Sequence, residues 1–360
     1  MDDFIFAGGV CVGAIAAAAS PLRLPDSYYY ERIAAQTIVP GCAEIHCFRP
    51  LVPWALGLFP PTIVKWKAYA ALCNTGAAIA VFDLCLVLGL TTRQSLLAGA
   101  ISTFGFGSMY TLYEPFTSDP LMFFLGPLVT RWLLQERAAL AAGAAILGVF
   151  AKEFVVAPIV IVGLAAARAR RWPAVGRAAA AATVAFAVWL GLQFFFMYVV
   201  GYTYGENHSP KIFEGGYVVY WLRHETARGA AAAMLVEFGA LYLLIPFGFL
   251  KAPRALRDLA IAAIPIACIF GYVQQPDRAL WNFHYLTSPL SALVLDALST
   301  PLAVTFVALY GFSNLRIGAQ VLSVPAARYA VAVSVLVALA AIGMSYRDRG
   351  QPVTGRFTIL

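Results

Sequence analysis

Apolar runs rich in Ala, Leu, Val, Ile and Phe recur along the chain, separated by short polar interruptions. The runs are continuous rather than alternating, so they read as helices and not as strands of a barrel. A helix of about 20 apolar residues spans the hydrocarbon of a bilayer, and only helices or closed barrels satisfy their backbone groups there. The pattern predicts helices over 4–19, 66–90, 95–113, 120–134, 138–151, 153–167, 177–200, 229–250, 256–273, 283–299 and 327–345, with a shorter span over 302–313. Two segments read as interfacial instead: 27–39, which follows a Pro-Asp-Ser start, and 50–59, where Pro50 and Pro53 suit a first helical turn. The expectation is an all-α polytopic membrane protein of about 11–12 transmembrane helices, with juxtamembrane helices in the first outer loop. No internal repeat or low-complexity tail is visible. Residues 1–360 read as a single transmembrane domain with no separate soluble domain. The first segment ends in small residues, as a signal peptide would. Its Met1-Asp2-Asp3 start is acidic, however, which favours an uncleaved helix.

Composition supports the class. Of 360 residues, 61% are hydrophobic and 12% charged, against about 25% charged in soluble domains, and the mean hydropathy is +0.77. The net charge of +7 forms no continuous patch, so nucleic acid is not an expected partner. The basic residues instead occupy alternate loops: Arg93, then Arg131 and Arg137, then Arg168, Arg170, Arg171 and Arg177, then Lys251, Arg254 and Arg257. Loops with this excess lie in the cytoplasm. Residues 20–65, 114–119, 201–228 and 274–282 then face outward. Towards the end of the chain, Arg316 and Arg328 disagree with Arg347 and Arg349 about which side is inside. Cys11, Cys73, Cys85 and Cys268 lie in apolar segments and read as small hydrophobes. Cys42 and Cys47 share one polar loop, where a disulfide needs an oxidising compartment; the reading favours free thiols.

The outward loops carry Asp26, Glu31, His46, Arg49, Glu114, Asp119, Glu206, His208, Lys211, Asp277 and Arg278. Lys152 and Glu153 interrupt an apolar stretch from Ala138 to Ala167, as though two short helices meet near the outer face. An ionisable residue well inside hydrocarbon costs about 2.5–3.5 kcal/mol, so Lys152 is expected to have an anionic partner. The plainer alternative is that the dipeptide caps two helix ends among solvated headgroups. Convergence of carboxylates and cations on one face is what an enzyme needs to deprotonate an acceptor while neutralising a phosphate leaving group.

Several segments resemble a known superfamily. Asp26-Ser-Tyr-Tyr-Tyr-Glu-Arg-Ile-Ala is similar to the first-loop motif of the GT-C polyprenyl-phosphate-dependent glycosyltransferases, in particular the dolichyl-phosphate-mannose mannosyltransferase-like and aminoarabinose transferase-like families. Phe48-Arg-Pro-Leu-Val-Pro-Trp resembles their basic-Pro-Pro-Leu segment, and Thr117-Ser-Asp-Pro-Leu-Met-Phe-Phe their Ser-Asp-x-Leu opening of the fourth helix. Phe150-Ala-Lys-Glu resembles a Thr-Lys-Gly or Thr-Lys-Glu turn, and Phe283-His-Tyr-Leu-Thr-Ser-Pro-Leu a late Arg-Tyr-x-x-x-x-Pro segment. The motifs fall in the family's order, closely over the first 170 residues and loosely beyond.

The resemblance implies an enzyme of the cell envelope. It would move a hexose or pentose, with inversion, from a polyprenyl-phosphate donor to a glycan, lipid or protein acceptor. The site would face the periplasm from a bacterial inner membrane. Asp26 matches the acidic residue that acts as base or helps hold a divalent metal, and Asp119 an acidic residue at the mouth of the fourth helix. Arg49 and Lys152 match positions that contact the lipid phosphate. Ser27 stands where a second acidic residue is frequent, which argues against a paired-carboxylate site for Mg or Mn. His284 replaces the late arginine, and Arg278 lies six residues earlier as a substitute phosphate ligand. The soluble C-terminal domain of many members has no counterpart. Glu31, Glu114, Glu153, Glu237 and His284 form a second tier of candidates.

Other features divide between plain and functional readings. Tyr28, Tyr29 and Tyr30 read first as an interfacial aromatic belt and second as a sugar-stacking surface. Residues 202–228 are an outer linker or an acceptor platform, and the spacing of His208 and His224 fits no metal set. Asp83, near the cytoplasmic end of a helix, is expected to snorkel or to bond a neighbouring helix. Glu237, about two turns below the outer surface, either lines a catalytic cavity or pairs with a buried donor. A transporter or lipid flippase is the rival activity, and a non-enzymatic membrane subunit a third. The absent repeat and the one-sided polar cluster weigh against transport.

Overall fold

A computed structural model describes residues 2–18, 25–203, 227–273, 280–316 and 326–347, and the described residues are helices and their connections. Helix α1 is Asp2–Ala18, followed in the first loop by α2, Pro25–Gln36, and α3, Leu51–Gly57. Next come α4, Ile63–Val87; α5, Thr92–Thr103; α6, Phe106–Tyr113; α7, Asp119–Leu134; α8, Ala138–Val149; α9, Val156–Arg168; and α10, Trp172–Phe194. The later helices are α11, Ala227–Phe238; α12, Leu241–Lys251; α13, Arg254–Val273; α14, His284–Leu295; α15, Thr300–Ser313; and α16, Ala327–Arg347. The protein is an integral membrane helical bundle. Three stretches are individually long and apolar enough to cross a bilayer: Ile63–Val87, Trp172–Val200 and Tyr329–Tyr346.

The interruptions depart from the sequence expectation in informative ways. The segment 95–113 was expected as one helix, yet it breaks at Phe104 and Gly105 into α5 and α6. Asn314 Nδ2, at the end of α15, donates to the Phe104 carbonyl at 2.7 Å and satisfies the acceptor freed by the break. The segment 229–250 breaks likewise at Gly239, whose φ of +50° is a left-handed conformation that ends α11. At two starts the helix runs earlier than hydropathy implied. Helix α4 begins at Ile63 and takes in Lys65, whose ammonium group reaches back to the Phe59 carbonyl at 3.3 Å. Helix α10 begins at Trp172, with Pro173 in its first turn.

The arginine-bearing turns gather at one end of the bundle. Arg131 meets Asp83 of α4 at 2.6 Å, which realises the bond expected of Asp83. Arg93, in the first turn of α5, meets Asp296, just past the end of α14, at 2.7 Å, and Arg177 meets Glu136 at 2.6 Å. Arg168, closing α9, meets Asp258 of α13 at 3.0 Å. Helix α7 starts at Asp119 and carries Arg131 in its last turn, so its length separates Asp119 from this basic end. The Lys152 turn lies between α8 and α9, whose far ends carry Arg137 and Arg168. The first loop is therefore held at the other end.

Candidate active site

Three segments far apart in sequence meet at that second end. Helix α2 supplies Tyr30, whose hydroxyl lies 3.0 Å from Ser118 Oγ at the mouth of α7. Helix α3 is tied to the turn after α8 by the Leu51 N–H, which donates to the Phe150 carbonyl at 3.0 Å. The turn itself closes when the N–H groups of Ala151 and Lys152 donate to the Gly148 carbonyl at 2.9 and 2.8 Å. A single turn of 3₁₀ helix, Glu153–Val155, then leads into α9.

Two ion pairs bind these segments together. Lys152 Nζ donates to Asp119 Oδ1 at 2.5 Å, and both side chains are buried. Thr117 Oγ1 donates to Asp119 Oδ2 at 2.8 Å, so both carboxylate oxygens are engaged. The Lys152 ammonium also sits 4.9 Å from the Phe154 ring centroid. Arg49, itself buried, grips Glu153 with two N–H groups, Nε to Oε2 at 3.2 Å and Nη2 to Oε1 at 2.5 Å. Burial acts to raise the Glu153 pKa, but the Arg49 charge and hydrogen bonds outweigh it and hold the carboxyl below its ordinary value. The anionic partner expected for Lys152 is Asp119, and the dipeptide is no solvated cap.

Asp26 lies in the first turn of α2, one helical turn before Tyr30, and His46 Nε2 approaches its Oδ1 at 3.4 Å. Asp26 and Asp119 both act electrostatically on the Tyr30 phenol, which lies between α2 and the mouth of α7. Burial pushes the Tyr30 phenol up to about 12, against the opposing pull of Arg49, so it serves as a neutral hydrogen-bonding strut. The tyrosine triplet divides: Tyr28 is exposed as a belt residue would be, Tyr29 donates to Glu44 at 3.2 Å, and Tyr30 is buried against Trp66. The belt reading is corrected for Tyr30, because its one-turn offset from Asp26 directs it into the bundle.

The second-tier residues scatter. Glu31 is half-buried on α2, whereas Glu114 is fully buried where α6 ends. Glu237 is also fully buried, and its Oε1 lies at ion-pair distance, 3.0 Å, from His284 Nε2. That pair sits beside both helix breaks, since His284 packs against Gly105 and Glu237 lies two residues before Gly239. Arg278, with Asp277, Glu206, His208, Lys211 and His224, lies outside the described residues. Among the described residues no group of three or more His, Cys, Asp or Glu side chains is placed to hold a metal, and Asp26 with His46 makes only a pair. Sequence reasoning missed two partnerships: His46 with Asp26, and Glu153 with Arg49. A loop's return onto a helix leaves no periodic signal. The expectation of free thiols also fails, for Cys42 and Cys47 form a disulfide. The turn between them brings the two sulfurs together as both side chains enter a small apolar cluster.

The bundle and its first-loop helices share their fold with solved structures of ArnT and of an archaeal oligosaccharyltransferase. Among solved structures, ArnT from Cupriavidus metallidurans bound to undecaprenyl phosphate superposes with a TM-score of 0.58 at 14% identity, over 95% of this chain and 74% of that one. The same protein in its apo state gives 0.55 at 15% identity, with the same coverage. The oligosaccharyltransferase of Archaeoglobus fulgidus gives 0.52 at 17% identity, over 95% of this chain and 55% of that one, so this chain spans little more than half its length. No family model and no curated protein sequence matches.

Proposed function

We propose that the protein transfers a sugar from a polyprenyl-phosphate donor to an acceptor at the extracytoplasmic face of the membrane. The observation that carries this reading is the joining of Arg49, Asp119 and the Lys152-Glu153 turn, from three separate segments, at the end opposite the arginine-rich turns. Such a cluster of buried cations suits a phosphate that arrives from the lipid phase. A small crevice lined by Met122, Phe154, Pro158, Ile161, Asn282 and Tyr285 lies beside it. The undecaprenyl phosphate bound by ArnT is a ligand of this chemistry. The Cys42–Cys47 disulfide also favours an oxidising compartment for the first loop, such as the periplasm of a bacterial cell.

In this mechanism Asp26 accepts the proton of the acceptor hydroxyl as its oxygen attacks the anomeric carbon. The carbon–oxygen bond to the phosphate breaks on the opposite face, which inverts the configuration. The departing polyprenyl phosphate is met by Arg49 and Lys152. Arginine has five N–H donors, of which Glu153 takes two. Asp119, buried with both oxygens engaged, holds Lys152 in place rather than receiving the proton. No step is routed through Mg or Mn.

The test is transfer by purified protein from undecaprenyl-phosphate mannose, glucose and arabinose, with and without chelator. Asp26→Ala is expected to lower kcat by about 10²–10⁴-fold with normal insertion. Full activity in that variant overturns the assignment of the base. One observation favours the rival reading of transport: two interrupted helices flank the buried Glu237–His284 pair, and broken helices line sites in transporters. Movement of undecaprenyl phosphate across proteoliposomes without sugar transfer would decide for it.

A further inference from the structure

Residues 37–49 are a docked loop rather than a tether. Thr37, with a φ of +59°, turns the chain out of α2, and its carbonyl accepts from Trp54 Nε1 at 2.6 Å. Val39, Cys42, Cys47 and Phe48 are buried with Ile33, Leu192, Phe196 and Tyr202. The Val39 N–H donates to the Tyr202 hydroxyl at 2.9 Å, and the Thr203 N–H donates to the Cys42 carbonyl at 3.1 Å. The disulfide closes the span between Cys42 and Cys47, and a 3₁₀ turn, Ile45–Phe48, carries His46 within it.

This loop delivers one imidazole onto α2. The His46 ring stacks on Tyr29 at 5.8 Å with a 21° interplanar angle and tilts against Tyr30 at 5.5 Å. Its Nε2 faces Asp26 Oδ1 at 3.4 Å, and its Nδ1 is buried without a hydrogen-bond partner among the described residues. The ring therefore has its polar contact on the Asp26 side. Among the described residues the Tyr29 and Tyr30 rings flank it, and Glu44, two residues earlier, accepts from the Tyr29 hydroxyl. A carboxylate in the first turn of a helix is favoured by the helix dipole without any histidine, so helix stability does not require this contact.

We propose that His46, held in place by the Cys42–Cys47 disulfide, is a positioning residue for Asp26. Its Nε2 stands 3.4 Å from one carboxylate oxygen, and this charge contact fixes the direction in which Asp26 meets the acceptor hydroxyl. This inference rests on the transferase reading above and adds a second residue and a covalent clamp to it. Groups that orient a reacting ligand from behind are typically worth about 10- to 100-fold.

Two substitutions separate packing from hydrogen bonding. His46→Phe keeps a ring stacked on Tyr29 and removes the N–H, whereas His46→Gln loses the ring and keeps an N–H. In the undecaprenyl-phosphate sugar assay, His46→Phe is expected to lower kcat about 10- to 100-fold with donor KM within about twofold, and His46→Gln to recover most of that loss. Reduction with tris(2-carboxyethyl)phosphine, or Cys42→Ser with Cys47→Ser, should lower kcat in wild type but add little to His46→Phe, because both act through one contact. Wild-type kcat in His46→Phe, no recovery in His46→Gln, or fully additive losses would overturn the proposal. An inactive Asp26→Ala beside a fully active His46→Phe removes this inference alone. A wild-type protein without transfer activity, or an active Asp26→Ala, removes the reading beneath it.

Discussion

Lys152 and Asp119 form a buried ion pair whose contribution to stability can be separated from the role proposed for it. Both are withdrawn from solvent and bonded to each other. Removing one partner leaves an uncompensated buried charge, a loss of about 3–5 kcal/mol, whereas replacing both with apolar residues is often neutral. Lys152→Met is therefore expected to lower the melting temperature in detergent sharply. Lys152→Met combined with Asp119→Leu should recover most of that stability and still bind undecaprenyl phosphate weakly. Tight binding by the double variant would separate the lysine from the phosphate. Glu153 makes a pH-dependent case. Its carboxyl is held below the ordinary value of 4.5 by Arg49, which outweighs the effect of burial. A carboxyl depressed on folding stabilises fully above its unfolded pKa and loses that contribution as pH falls through the folded one. Wild type should thus melt higher than Glu153→Gln at pH 7, by about 1 kcal/mol or less because Glu153 is a third exposed, and the gap should close below pH 4.5. A gap that widens on acidification would contradict the pairing.

Helices α8 and α9 matter for the turn they present. Their hydropathy was plain in the sequence, and so was the charged interruption between them. What aims Lys152 is the tightness of the turn, which depends on Gly148. A Cβ there would lie 2.6 Å from Val155 Cγ2, inside any normal contact. Gly143, on the same helix, has nothing within 4 Å of the equivalent point. Gly143→Ala is expected to raise stability by about 0.5–1 kcal/mol through helix propensity. Gly148→Ala should lower it by about 1–3 kcal/mol and reduce undecaprenyl phosphate binding as well. Equal effects on melting temperature would show that the turn tolerates the methyl. The breaks at Gly105 and Gly239 carry the same lesson in reverse. Hydropathy runs straight through both, because the cause is a partner elsewhere (Asn314 in one case) or a single left-handed residue.

The whole molecule is polar about its long axis. Arginine–carboxylate pairs tie the turns together at one end, and the first loop, the α7 mouth and the Lys152 turn meet at the other. The proposed orientation of the bundle in the membrane rests on the arginines. In a background with Cys11 and Cys268 replaced by alanine, a membrane-impermeant maleimide applied to intact cells should label Gln36→Cys and leave Arg137→Cys unlabelled. Both positions are exposed, so access decides the outcome. The reverse labelling would put the first loop in the cytosol and end the extracytoplasmic reading of the site.

Hydropathy was enough to establish a polytopic helical membrane protein, while the alternation of arginines supplied the proposed sidedness and the polar interruptions the candidate site segments. These are local quantities: twenty apolar residues cost or gain free energy in lipid whatever lies beside them. Asp26, Arg49, Asp119 and Lys152 stood out on the same ground, as charges at helix ends in an apolar chain. Their pairing was decided only by the fold. Lys152 takes Asp119 and Arg49 takes Glu153 because α3 is tied to the turn after α8 and α7 opens beside it, and His46 reaches Asp26 because a disulfide-closed loop folds back on α2. A buried charge must find a counterion, and which one it finds depends on helix packing in three dimensions, not on spacing along the chain.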